Sequence, residues 1–207
     1  MSSGTGAEAR RLVLASASPA RLALLRQAGL APDVVVSQVD ESTVTAPRVA
    51  ERVALLAAAK ATAVADQETD ALVIGADSLL EFGGQAMGKP ADLHEARDRW
   101  QHMGGRSGVL HTGQALFDVR DGVVVGRDVA VVSTTVHFAR PTAAELEAYL
   151  ATGEPLAVAG AFTLDGLGAP FVRRVDGDPA AVVGLSLATL RTQLATRDVT
   201  LTDLWRR

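Results

Sequence analysis

Two lysines, Lys60 and Lys89, stand among eighteen arginines in this chain of 207 residues. The 37 alanines fit the same bias, as expected of a GC-rich coding background in which surface lysine drifts to arginine. A lysine kept against that drift suggests a place where a compact ammonium on a thin stem fits and a planar fork does not. Two lysines must also fall somewhere, so the count alone separates nothing. Lys60 carries a second signal. Val49, Val53, Leu56 and Val64 recur at helical spacing, and Lys60 lies in their stripe, between Leu56 and Val64. A cation on a packed helix face must either snorkel out or meet an anion inside.

Three further groups could act with it. In Ser16-Ala17-Ser18-Pro19-Ala20-Arg21 a short apolar run ends, two hydroxyls follow, and proline opens a helix. Free N–H groups at such an N-terminus, with hydroxyls and a guanidinium beside them, suit a phosphate. Plain capping by Ser18 with a solvated Arg21 is the alternative. Asp77 follows the buried run Leu72-Val73-Ile74-Gly75-Ala76, the position at which α/β sheets present ligands; a turn aspartate would read the same way. Asp40 and Glu41 add carboxylates. Hard oxygens without thiolate or clustered imidazole favour Mg²⁺ or Mn²⁺ over zinc. Arg106, between Gly105 and Ser107, could meet an anion, whereas His111 sits in a strand pattern and reads as structural.

Two near matches fail. An aspartyl-phosphate phosphatase wants a second aspartate two positions after Asp77, where this chain has Leu79. The stretch from Gly83 to Lys89 imitates a phosphate-binding loop, but Pro90 takes the place of the metal-binding hydroxyl.

The elements that must carry these residues alternate. Strands are predicted at 12–15, 34–36, 71–76 and 171–175. A hairpin over 79–87 turns at Gly83-Gly84, and long strands at 109–119 and 123–138 join through Asp121-Gly122. Helices are predicted from Ser18 to about Gly29, and over 47–66, 92–103, 142–152 and 184–196. Helices between strands, together with long hairpins, imply a mixed α/β sheet. Residues 1–10 are expected to be a flexible N-terminus and 11–207 a single domain.

Composition removes several function classes. There is no cysteine, hence no disulfide scaffold, cysteine-ligated metal or thiol nucleophile. A net charge of −4 and eight aromatics argue against a nucleic-acid partner. No run of about 18 apolar residues suggests a membrane span, and the polar N-terminus lacks a signal-peptide core. The expectation is a cytoplasmic protein.

At these residues the chain resembles the Maf family of nucleoside triphosphate pyrophosphatases. The stretches that carry the resemblance are LVLASASPARLALLRQAGL (12–30), VDE (39–41), AAAKA (57–61), VIGADS (73–78), MGKP (87–90), GGRSGVLHTG (104–113), YLATGEP (149–155), VAGAFTLDGLG (158–168) and GDPAAVVGLSL (177–187). Their order and spacing make the match specific. The resemblance implies an inosine-triphosphate-pyrophosphatase-like α/β fold, a mixed twisted sheet flanked by helices, with two lobes around a nucleotide cleft. It implies a homodimer and divalent-metal-dependent cleavage of the α–β phosphoanhydride, giving a nucleoside monophosphate and pyrophosphate, with clearance of modified nucleotides as one role. By the same resemblance Asp77 is the proton acceptor; as carboxylates, Asp77 and Glu41 are also the expected ligands of the metal. Ser16, Ser18 and Arg21 form the phosphate loop, and Glu41, Lys60 and Lys89 belong to the polar ring around the triphosphate. Ala20 stands where a second arginine is usual, Gly108 where many members have histidine, and Val158 where the dTTP/UTP-type members have lysine. Asp165 stands where the modified-guanine subgroup has glutamate, and an acid there could accept from guanine N1–H and N2–H. The alternative to an enzyme is a non-catalytic nucleotide-binding regulator of septum formation.

Overall fold

The structure, a computed structural model, describes residues 10–205. Of the expected flexible N-terminus, residues 1–9 lie outside the described residues. A seven-stranded mixed sheet runs through the molecule in the order β2-β1-β3-β5-β6-β7, with β4 paired to β3. Strand β1 (Leu12–Leu14) is fully buried and lies parallel to both β2 (Asp33–Val34) and β3 (Ala71–Phe82). The long strands β5 (Ser107–Arg120) and β6 (Val123–Phe138) continue the sheet antiparallel, and β7 (Val172–Asp176) closes it. Helix α1 (Pro19–Gln27) follows β1, with Ser18 as its cap. Helix α2 (Val49–Ala65) crosses the sheet. Strand β4 (Gln85–Met87), α3 (Leu93–Met103), α4 (Ala143–Ala151), α5 (Pro179–Val183) and α6 (Leu187–Ala195) complete the fold. Among the described residues no helix is long and apolar enough to cross a membrane.

Both predicted hairpins form, and their turns carry the chemistry they require. Gly83 and Gly84 have φ of 58° and 76°, and Asp121 and Gly122 have 50° and 74°. Two consecutive positive φ values match the right-handed twist of the strands they join.

Three expectations need correction. Asp77 does not end its strand: β3 runs on to Phe82, because Asp77 still pairs with Gly113 and the ladder with β5 continues to Glu81. What ends before Asp77 is β1, whose last partner on β3 is Ile74. The aspartate therefore lies beyond the carboxyl end of the neighbouring strand. The strand expected at 34–36 shrinks to Asp33–Val34. The helix expected over 184–196 starts later, at Leu187, because Ser186 caps it by accepting from the Thr189 N–H, and the short helix α5, ended by Gly184 at φ 132°, precedes it where none was expected.

The core splits into clusters on either side of the long strands. Leu12, Leu14, Leu25, Ile74, Leu116 and Leu190 pack under α1 and α6. Leu80, Trp100, Phe138, Tyr149 and Phe162 pack under α3 and α4, where Trp100 and Phe162 each meet Phe138 edge-on. The third cluster, with Val73, Ala115 and Phe117, lies under α2. Two glycines set how closely α2 sits. A methyl group on Gly75 would fall 2.2 Å from the Ala57 carbonyl oxygen, and one on Gly113 2.1 Å from that of Val53. Only glycine lets the helix backbone touch the sheet there.

Candidate active site

That close approach positions the first pair of charges. Lys60 projects from the sheet-facing side of α2, where it is 8% exposed, and Asp77 on β3 is 6% exposed. Lys60 Nζ donates to Asp77 Oδ1 at 2.7 Å and lies 2.6 Å from Glu41 Oε1. Glu41 opens a short helical turn, Glu41–Thr43, which Asp40 caps by accepting from the Ser42 N–H. The stripe containing Lys60 is thus buried, and of the two options for a cation on it, meeting an anion is the one realised.

Burial raises the pKa of Asp77 above its ordinary value. The charge and hydrogen bond of Lys60 and the charge of Arg21 offset only part of this, and Glu41 adds to the rise. A carboxylate so disposed holds a proton more readily than a surface aspartate.

Arg21 forms the second anchor. Its Nε donates to the Gly184 carbonyl at 2.8 Å, Nη1 to Ser16 Oγ at 3.0 Å and Nη2 to Ser78 Oγ at 3.2 Å. Ser78 Oγ lies 2.9 Å from Thr112 Oγ1, which donates to the Ala181 carbonyl at 2.7 Å. One buried guanidinium therefore joins the β1–α1 loop, β3 and the end of α5. Burial lowers its pKa, and the charges of Asp77 and Glu41 oppose that. Ser16 Oγ also accepts from the Ser18 N–H at 3.2 Å, and Ser18 Oγ from the Arg21 N–H at 3.4 Å. The predicted N-terminal anion motif is thus a capped, internally braced turn that opens onto a cavity.

The cavity, of about 890 Å³, is lined by Ser16, Ser18, Arg21, Glu41, Lys60, Asp77, Lys89 and Asp165. It lies between the cluster beneath α1 and the one beneath α3, and it also draws on Leu110, Phe162, Val182 and Val183. A volume of this order accommodates a ligand the size of a nucleotide. Lys89 and Asp165 are exposed at its rim.

Arg106 is not brought to this cavity. It lies 4.6 Å over the Phe82 ring and donates to the His102 carbonyl, because it precedes β5 at the end of the strand away from Gly113. His111 is fixed between Ser133 and Glu81 at 2.8 and 3.1 Å, in keeping with its structural reading.

Among the lining residues that the sequence reading of individual side chains did not single out are Ser78, Glu154, Thr163 and Val183. Ser78 was within reach, since it follows Asp77 directly in the chain. Glu154 reads from sequence as the start of a loop after the terminating Gly153, and only its partners reveal more.

The donor set suits a divalent cation. Asp77 and Glu41 each give one oxygen to Lys60, and among the described residues their other oxygens, Asp77 Oδ2 and Glu41 Oε2, bond no protein group. No cluster of three or more His, Asp or Glu ligands exists among the described residues. Magnesium typically uses one or two carboxylates and completes its shell with water and substrate phosphates, so two carboxylates lining one cavity fit it.

Comparison with known proteins identifies the family. A family model described as Maf-like protein matches residues 11–197. The chain is 57% identical over 198 residues to a nucleoside triphosphate pyrophosphatase of Streptomyces coelicolor, covering 95% of each chain. It is 56% identical over 202 residues to a protein of the same description from Salinispora tropica, covering 95% of this chain and 88% of the relative. With the one from Rhodococcus erythropolis the identity is 50% over 206 residues.

Proposed function

The chain belongs to the Maf-like protein family, and from that premise we propose that it is a nucleoside triphosphate pyrophosphatase, a hydrolase that converts a nucleoside triphosphate to the monophosphate and pyrophosphate. The observation that carries the reading is the convergence of Lys60, Asp77, Glu41 and Arg21 on one cavity wall. Cleaving a phosphoanhydride demands little covalent chemistry from the protein. It demands positioned positive charge, an oriented water and a place for the leaving group.

The residues divide that work by their chemistry. Ser16, Ser18 and the N-terminal turn of α1 offer donors to the triphosphate, and Arg21 holds that turn against β3 while adding its charge. Lys60 and Lys89 complete the cationic ring. Asp77 accepts the proton of the attacking water, a role its raised pKa favours. Asp165, at the rim, accepts from the donor edge of the nucleobase.

Glu41 and Asp77 would hold a divalent cation, Mg²⁺ or Mn²⁺, which supplies neutralisation of the charge that builds on the phosphates. Lys60 lies between the two carboxylates and offsets their mutual repulsion. We further propose that residues 11–207 act as one domain, that the enzyme works as a homodimer, and that clearing modified nucleotides is its role.

The test is product identity. Purified protein with Mg²⁺ or Mn²⁺ and a panel of canonical and modified nucleoside triphosphates releases pyrophosphate in amounts equal to the monophosphate. Tight nucleotide binding without product across the panel would instead mark a regulator, and inorganic phosphate as the product would mark a phosphatase.

A further inference from the structure

Glu154 lies outside the catalytic constellation, yet its carboxylate is the most heavily hydrogen-bonded at the cavity. It follows Gly153, whose φ of 74° ends α4. Its two oxygens accept from three groups of one short loop. Oε1 accepts from Thr163 Oγ1 and from the Gly168 N–H at 3.0 Å, and Oε2 accepts from the Leu167 N–H at 3.0 Å. Thr163 Oγ1 in turn accepts from the Gly168 N–H at 3.0 Å. The loop wraps tightly: a methyl group on Gly166 would fall 2.6 Å from Glu154 Oε2, and one on Gly168 2.5 Å from the Tyr149 hydroxyl. Burial pushes the Glu154 pKa up, but the bonds from Thr163, Leu167 and Gly168 outweigh it, so the group stays ionised.

The encircled segment, 163–168, contains Asp165. Thr163, Leu164, Asp165 and Gly166 all line the cavity beside Glu154 itself. With its bonds made to the loop, Glu154 has little accepting capacity left for a ligand, whereas Asp165 is exposed and makes no protein hydrogen bond among the described residues. The two acids thus have different jobs, one turned inward to a backbone and one turned outward to the cavity.

We propose that Glu154 is a positioning residue for nucleobase discrimination: it holds loop 163–168 in one conformation so that Asp165 faces the base's donor edge. The matching ligand edge is a ring N–H beside an exocyclic amine, as in a guanine-type base. A carboxylate on a floating loop would find donors on many bases. One held at two backbone N–H groups and a hydroxyl accepts only where both donors arrive together. The inference rests on the pyrophosphatase reading and on Asp165 as the base contact.

The experiment measures kcat and KM of wild type, Glu154→Gln, Gly166→Ala and Asp165→Asn for GTP, ITP and ATP with Mg²⁺, with folding followed by circular dichroism. ITP keeps the ring N–H and lacks the C2 amine; ATP lacks the ring N–H and carries its amine at C6 instead of C2. Glutamine has the size of Glu154, but it sets an amide N–H₂ against a backbone N–H. Gly166→Ala disturbs the same contact from the loop side and serves if Glu154→Gln does not fold. The expected result is a GTP-to-ATP preference in wild type that shrinks about tenfold to hundredfold in all three variants, with the loss carried by KM and not by kcat. A uniform fall in kcat for every base, or a preference that survives both Glu154→Gln and Gly166→Ala while Asp165→Asn abolishes it, overturns the positioning role. A wild type active without base preference, or a preference untouched by Asp165→Asn, also overturns it, by removing the base contact. No turnover of any nucleotide by wild type is a separate outcome, which defeats the pyrophosphatase reading beneath it.

Discussion

Asp77 and Asp118 are buried carboxylates on adjacent strands of one sheet, and their surroundings drive them in opposite directions. Asp118 on β5 is 4% exposed. It accepts from Arg10 Nη2 at 2.6 Å and from Arg120 Nε at 3.0 Å. Burial pushes its pKa up, but the two guanidinium hydrogen bonds and charges outweigh that, and the pKa is lowered. Asp77, 6% exposed, shares the Lys60 ammonium with Glu41, and its desolvation prevails over the charges of Lys60 and Arg21, so its pKa is raised. A buried acid with its own pair of cations is a fastening. One that shares a cation with another acid is left with unspent affinity for a proton or a metal, and it faces the cavity where a ligand can use it.

The sharpest way to break this contrast is Asp77→Asn, which keeps the shape and removes the proton acceptor. Pyrophosphate release should fall by about 10²–10⁴-fold, while circular dichroism and the melting transition still report a folded protein. Near-wild-type turnover would remove Asp77 from its assigned place.

Lys60→Arg tests the ammonium. It retains the charge but must fit a planar fork into a site built around one Nζ touching two carboxylates. Steady-state assays should show a loss of about 10²-fold. Unimpaired activity would mean that any cation suffices there.

At the other carboxylate the sign of the phenotype reverses. Asp118→Ala should lower unfolding free energy by about 1–3 kcal/mol in urea titrations and leave kcat/KM within about twofold of wild type, since Asp118 does not line the cavity.

The smallest effect is in acid. A carboxylate with a lowered native pKa stabilises the fold fully above its unfolded value of about 4, and that contribution is lost as pH falls through the native value. The stability gap between wild type and Asp118→Ala should therefore hold steady down to about pH 4 and close below it. A gap that widened in acid would contradict the fastening role. For Asp77 the sign is opposite: a raised native pKa means that the metal-free fold gains stability as pH drops towards the unfolded value.

How much of this could be read in advance varied with the range of the interaction involved. The hairpins at Gly83-Gly84 and Asp121-Gly122, the cap at Ser18 and the α2 stripe bearing Lys60 are set by neighbours in the chain, and each was legible. The end of β3 was not. Asp77-Ser78 looks like a terminus, but whether a strand continues depends on its partner, and β5 still pairs there. The short helix α5 ahead of Gly184 and Arg106's place over Phe82 were hidden for the same reason. Glu154 was invisible as an organiser, because its partners lie up to 14 positions away on a loop with no period of its own.

From its residues alone the chain determined a mixed α/β architecture, a lysine that must snorkel out or meet an anion, and the acids and hydroxyls available to meet it, because periodicity, capping and charge burial act over a few residues. Which carboxylate shares its cation and which owns a pair, which arginine reaches the cavity and which stacks on a ring, were decided only when the sheet assembled. Those outcomes depend on distances between segments far apart in the chain, and close packing against glycines such as Gly75 sets those distances.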